Sequence, residues 1–257
     1  MLLTHYSTHI SLVASLGNLL FSMSRQNGTR LSKLVQKYPT LIKRIGSALL
    51  VGIPAALAFA VAVPDLREAA RQQWGVETEQ TVVEWQRMIE SARMAPLSER
   101  LERANRFFNE RVEWVEDPQA WGAEDYWATP LESMGNQRGD CEDFAIAKYI
   151  TLLTMGVDPD SLRLIYVKAK RSGLTRAHMV LAWYESPTRP PLILDNIDRA
   201  ILPATERGDL LPVFSFNANS LWVGSKATPS SANPVNRLSR WRNVLNKLRD
   251  EGFVLEF

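Results

Sequence analysis

Cysteine occurs once in these 257 residues, at Cys141, and histidine three times. A lone thiol excludes an internal disulfide, so Cys141 must serve packing, metal binding or reactivity. Acidic side chains are missing altogether from residues 1–62, which hold six basic ones: Arg25, Arg30, Lys33, Lys37, Lys43 and Arg44. Without that segment the remaining 24 basic groups face 28 acidic ones, a net charge of −4. The nominal +2 of the whole chain therefore belongs to the leader, and nucleic acid is not among the expected partners.

Long apolar runs are scarce as well, and the one that matters lies in the same leader. Lys43-Arg44 precedes an uncharged stretch from Ile45 to Val63, with small residues at Ala58-Phe59-Ala60 and Ala60-Val61-Ala62. A basic region, an apolar region and an A-x-A site describe a secretory signal peptide cut near residues 60–62. The length is also compatible with one transmembrane anchor or a buried helix, although Gly46, Gly52 and Pro54 weaken a permanent anchor. Met23 is an alternative start. Removal of the leader would take His5 and His9 with it and leave His178 as the sole imidazole.

The body divides into residues 63–224 and a tail at 225–257. Val82, Trp85, Ile89 and Ala92 predict an amphipathic helix over Thr78–Met94. Ser98 is the expected N-cap of a second helix, with Leu101, Ala104, Phe108, Val112 and Val115 on one face. Trp121–Leu131 lacks a period and reads as a loop. Cys141–Met155 is apolar on most faces, as expected of a buried helix, with Gly156 as its C′ residue. Short β-branched or aromatic runs then follow at Leu162–Lys168, Ala177–Tyr184, Leu192–Asn196, Val213–Phe216 and Leu221–Gly224. Helices first and strands later imply an α+β domain with a largely antiparallel sheet. After the polar connector Ser225–Pro234, Leu238, Trp241, Leu245 and Leu248 predict a C-terminal amphipathic helix.

Asp140 is placed as an N-cap and Cys141 in the first turn of the buried helix, where the helix dipole lowers a thiol pKa. His178 lies within one predicted strand and Asp195 at the end of the next. If the strands are neighbours, nucleophile, base and orienter can meet. Each residue also has an ordinary role open to it: a cysteine as a small hydrophobe, a histidine as a hydrogen-bonded strand residue, an aspartate as a turn former.

Gly139-Asp140-Cys141-Glu142-Asp143-Phe144-Ala145-Ile146-Ala147-Lys148-Tyr149, Ala177-His178-Met179-Val180-Leu181 and Leu194-Asp195-Asn196 closely resemble the bacterial transglutaminase-like cysteine proteinases, the LapG family of periplasmic proteases. The resemblance extends through Asp125–Pro130 and Arg207–Asn217 and covers roughly residues 75–224. It implies a transglutaminase/papain-like fold, with Cys141 as nucleophile, His178 as general base and acid, and Asp195 as orienter. It further implies periplasmic cleavage, within a short Ala-Ala-containing site near the N-terminus of a large surface adhesin, which releases the adhesin and disperses biofilm. Restraint by an inner-membrane cyclic di-GMP receptor of the LapD type is implied too, and Trp121 or Trp127 is the expected contact.

Asp140, Glu142 and Asp143 pose a physical problem, because like charge beside a thiol raises its pKa. A bound cation would remove the conflict, and hard oxygen donors suit Ca²⁺. The resemblance implies calcium dependence with these acids as ligands; otherwise they are acids that complement a helix N-terminus. Other classes stay open at this level: an exported acyltransferase or cross-linking enzyme on the same fold, or a non-catalytic module that binds an inner-membrane receptor.

Overall fold

A computed structural model describes residues 64–254. The leader expected at 1–62 lies outside the described residues. Among those described, no helix is long and apolar enough to cross a membrane. Three helices open the fold: α1 (Arg67–Trp74), α2 (Val76–Ala92) and α3 (Leu97–Arg111). A short strand β1 (Glu113–Trp114), the single turn α4 (Asp117–Ala120), α5 (Pro130–Asn136) and β2 (Arg138–Gly139) lead into α6 (Cys141–Thr154). Strands β3 (Leu162–Arg171), β4 (Leu174–Trp183), β5 (Leu192–Leu194), β6 (Leu202–Pro203), β7 (Leu210–Phe216) and β8 (Leu221–Val223) follow, and then α7 (Pro234–Arg237) and α8 (Ser239–Asp250).

The sheet runs β6-β5-β4-β3-β7-β8, antiparallel at every pairing. This is the α+β architecture expected. Helix α6 packs on β3 and β4 with α3 and α5 on its other side. Every residue from Asp143 to Thr154 is buried, which explains the absence of a polar stripe in its sequence. Ile146, Ile150, Leu152 and Leu153 are fully covered, each worth about 1.5–3 kcal/mol of burial. The polar groups on this helix are satisfied from within: Trp85 donates to the Thr151 hydroxyl at 2.9 Å, and that hydroxyl donates to the Ala147 carbonyl at 2.7 Å. Gly156 follows the helix with φ of +79°, the left-handed C′ geometry anticipated.

Several expected boundaries move, each for a local reason. Ser98 is not the N-cap of α3; Pro96, with ψ of 148°, turns the chain and Leu97 starts the helix without a side-chain cap. Val112 and Val115 leave the helical face because their segment pairs with another strand. The Glu113 and Val115 N–H groups donate to the carbonyls of Gln137 and Gly139, and β1 lies parallel to β2. The loop read over Trp121–Leu131 ends earlier, at Thr129, which forms a capping box with Glu132 ahead of Pro130. Strands β3 and β4 extend to a two-residue turn at Ser172-Gly173, both with positive φ, as a type I′ hairpin requires. Strand β7 begins at Leu210 and tolerates Pro212 because the register shifts beside it, opposite Tyr166/Val167.

The C-terminal helix docks through Trp241, whose buried ring meets Tyr149 and Phe216 edge-on at 5.8 and 5.5 Å. Gly135 in α5 admits Trp74: a Cβ at that position would enter the indole. Alanine ordinarily favours a helix over glycine by about 1 kcal/mol, yet Gly135→Ala is expected to lower stability by about 1–3 kcal/mol through overpacking. A reduced urea unfolding midpoint would show this, and an increase would refute the contact.

Candidate active site

Cys141 is the first residue of α6 and Asp140 its N-cap, so the thiol sits at the positive end of a buried dipole. Strands β4 and β5 are adjacent, which brings His178 and Asp195 together. His178 Nε2 lies 2.8 Å from Asp195 Oδ1. The second carboxylate oxygen accepts from Arg207 Nη2 at 2.8 Å, and Oδ1 also accepts from the Ile197 N–H at 3.1 Å. Burial alone would push Asp195 up, but His178, the Ile197 N–H and Arg207 outweigh it and hold the carboxyl well below the usual range. Nδ1 of His178 is left for another partner.

Cys141 and His178 line one cleft of about 640 Å³. The thiol does not hydrogen-bond to the imidazole here; its partner is Glu142 Oε2 at 3.0 Å. Burial pushes the thiol pKa well up, Glu142 and Asp140 add to the shift, and the Met179 N–H opposes them. The conflict anticipated between the thiol and its acidic neighbours is therefore present in the fold.

The fold also enlarges that acidic group. Asp140, Glu142 and Asp143 come together with Asp117 and Asp125, in overlapping sets whose potential ligand atoms lie within 4.8 Å of one another. Burial, with neighbouring acids adding to it, raises Asp140 to about 10, Asp143 to about 8 and Asp117 to about 6. Oδ1 of Asp117 and Oδ1 of Asp140 are buried without a hydrogen-bond partner. All-oxygen donors with unpartnered buried lone pairs fit a hard divalent cation such as calcium. Asp143 belongs to the cluster but already accepts from Trp121 Nε1 at 2.9 Å, Ala128 N at 2.7 Å and Asp140 N at 3.3 Å. It thereby ties the 121–129 loop over the helix start. Gly139 permits this approach, since a Cβ there would meet the Asp143 carboxylate.

Arg207, Lys148, Asn109, Asp117 and Asp125 were not assigned from sequence. Arg207 clamps Asp195 and is itself paired with Asp209 at 2.9 Å. Lys148 and Asn109 both donate to the Asp195 backbone carbonyl, at 3.0 and 2.9 Å. Lys148 is wholly buried, and desolvation lowers its pKa to about 7. A lysine inside an otherwise apolar helix was the available signal for it. Asp117 gave none, because sequence does not show it beside Asp140. The tail braces the site as well: Arg240 pairs with Asp125 at 2.6 Å and Lys247 with Glu132 at 2.6 Å. Trp121 bonds Asp143 and packs at a tilt against Tyr126, while Trp127 stacks on Phe216. The exposed tryptophan at the cleft is Trp114, 49% accessible.

A cysteine at the start of a buried helix thus shares a cleft with a histidine whose imidazole is bonded to an aspartate just past the neighbouring antiparallel strand, the residue types of a thiol nucleophile, a base and an orienter. Residues 76–218 match the bacterial transglutaminase-like cysteine proteinase family, BTLCP, and the chain belongs to it. Within that family it is similar to Legionella pneumophila LapG. The EGTA-treated structure of that protein is 36% identical over 74% of this chain and 100% of its own, with a TM-score of 0.64. The calcium-bound structure is 37% identical over 71% and 97% of the two chains, with a TM-score of 0.62. No curated protein matches the chain.

The raised carboxyls set the sign of a pH effect. Asp140 and Asp143 keep protons in the folded state that the unfolded chain loses above about pH 4. Folded protein then binds more protons than unfolded, so stability falls as pH rises from 5 to 7. Asp195 is ionised in both states across that window and contributes no slope. Urea unfolding with a chelator is expected to show lower stability at pH 7 than at pH 5, and added calcium to reduce that loss. A chelated protein equally stable at both pH values would contradict the acidic cluster.

Proposed function

We propose that this protein is a calcium-dependent cysteine endopeptidase of the periplasm that cuts the N-terminal region of a large surface adhesin and so disperses biofilm. The observation that carries the catalytic reading is the His178–Asp195–Arg207 chain ending in the cleft that holds Cys141. In this mechanism His178, its tautomer held by Asp195, takes the thiol proton. The Cys141 sulfur attacks the scissile carbonyl, and the backbone N–H at the start of α6 donates to the resulting oxyanion. As the C–N bond breaks, the His178 imidazolium gives its proton to the leaving amine and a thioester remains. Water, deprotonated by His178, then attacks the thioester; the C–S bond breaks and the proton returns to sulfur.

Asp117, Asp125, Asp140 and Glu142 are the residues that would hold the calcium, with Asp143 shaping the site. Its charge would oppose the burial and the repulsion that together keep the thiol protonated. The existence of a calcium-bound form of a relative at 37% identity supports this assignment. Exposed apolar side chains gather at the same cleft, namely Trp114, Leu174 and Ile197. Such a rim suits an extended peptide with small apolar residues, as in an Ala-Ala-containing site, and it suits capture by a receptor of the LapD type.

Cys141→Ala and His178→Ala are expected to abolish cleavage of an adhesin N-terminal fragment. Arg207→Met should lower kcat/KM by about ten- to a hundredfold by freeing the orienting carboxylate. A chelator should suppress the wild-type reaction and calcium restore it. Gel and mass analysis of the products reads each outcome, and persistent cleavage by Cys141→Ala would overturn the mechanism.

A further inference from the structure

The face of the sheet that carries Arg163, Ile165 and Val167 has its own small apolar cluster, separate from the main core. Register defines it. Ile165 pairs with Val180 and Arg163 with Ala182 across β4; Ala182 pairs with Ile193; Ile165 pairs with Ser215, and Ser215 with Trp222. Directly opposed residues share a face, so all of these side chains lie on one side. The segments 187–191 and 224–227 form a rim around them, enclosing a cavity of about 540 Å³. This is within the usual size range of small-molecule pockets.

Arg163 stands at the edge of this cavity. It is only 5% exposed, and its guanidinium lies 4.1 Å from the Tyr184 ring centroid and 3.9 Å from that of Trp222. Among the described residues no carboxylate pairs with it, and Nε has no hydrogen-bond partner. A buried cation without a counter-ion is strongly disfavoured, and stacking on two rings offsets only part of the desolvation. Burial pulls its pKa down, with the Tyr184 phenol as the opposing influence. Arg207 also lines the cavity, but Asp195 and Asp209 already neutralise it. Arg189 lines it too and pairs with Glu185, while Lys226 stands exposed at the rim. A single buried, unpaired cation above an apolar floor calls for a ligand with one negative charge and an apolar body.

We propose that this cavity binds a small monocarboxylate with an aliphatic chain, its carboxylate paired with Arg163 and its chain on Ile165, Val167, Val180 and Ile193. A guanidinium presents the planar donor fork that a carboxylate matches. The site is distinct from the cleft at Cys141 and independent of the proteolytic reading.

Titration calorimetry of the purified protein with octanoate tests the proposal. Saturable binding of one equivalent is expected, whereas 1-octanol, which lacks the charge, and acetate, which lacks the chain, should each bind about tenfold more weakly or worse. Arg163→Met keeps the bulk and removes the charge. It should reduce octanoate affinity by about tenfold or more, with an unchanged circular dichroism spectrum and a thermal midpoint that is equal or higher. Absence of saturable octanoate binding, equal affinity for octanol, or undiminished binding by Arg163→Met would each overturn it. The comparison of octanoate with octanol uses unaltered protein and decides the matter even if the variant fails to fold.

Discussion

Asp195 is the residue on which the arrangement of the site depends. Its carboxylate is gripped by His178 from β4, by Arg207 from the segment before β7, and by the Ile197 N–H of its own turn. Its backbone carbonyl is held by Lys148 from α6 and Asn109 from α3. Elements distant in sequence are thus tied to one buried residue, and the helix bearing Cys141 is linked through Asp195 to the strand bearing His178 by direct hydrogen bonds. A buried carboxylate with this many donors stays ionised, which is the state needed to fix a histidine tautomer. Loosening any of these ties would cost orientation before it cost the fold.

The opposite electrostatic situation exists about two turns along α6 from Lys148, at the start of the helix. There, Asp140 and Asp143 are buried beside other carboxylates and a thiol, and burial first and like charge second keep their protons in place. Helix α6 therefore joins two environments: a satisfied anion behind His178 and an unsatisfied acidic cluster around Cys141. A divalent ion in the second environment would complete the symmetry, and the loop tied down by Asp143 and braced by Arg240 and Lys247 from the C-terminal segment shapes its surroundings. This gives the tail a definite role in the site, through packing of Trp241 and through charge.

Much of the α+β order was legible because burial imposes period. The uninterrupted apolar run of α6 and the short alternating strands could be read directly, and Asp140 and Gly156 marked the helix ends by their own backbone preferences. Local reading failed where backbone pairing at long range prevailed. Val112 and Val115 keep a helical spacing but belong to a strand-like segment paired with residues 137–139. The Thr129–Glu132 capping box was present in the sequence and obscured by the aromatic residues before it. Ser98 failed because a preceding proline already sets the turn.

Which chemistry was available could be read from the residues alone: one thiol, one imidazole in the body, and acids flanking the thiol, together with motifs that match a proteinase family. Those are matters of composition and short-range order. It takes the folded chain to bring Arg207 and Lys148 to Asp195, to join Asp117 and Asp125 to Asp140 and Glu142, and to leave Arg163 without a counter-ion between two rings. Each of these depends on strand register and on which charges share a buried space. The energy of a charge in low dielectric is set by neighbours within a few ångströms, and chain separation does not reveal them.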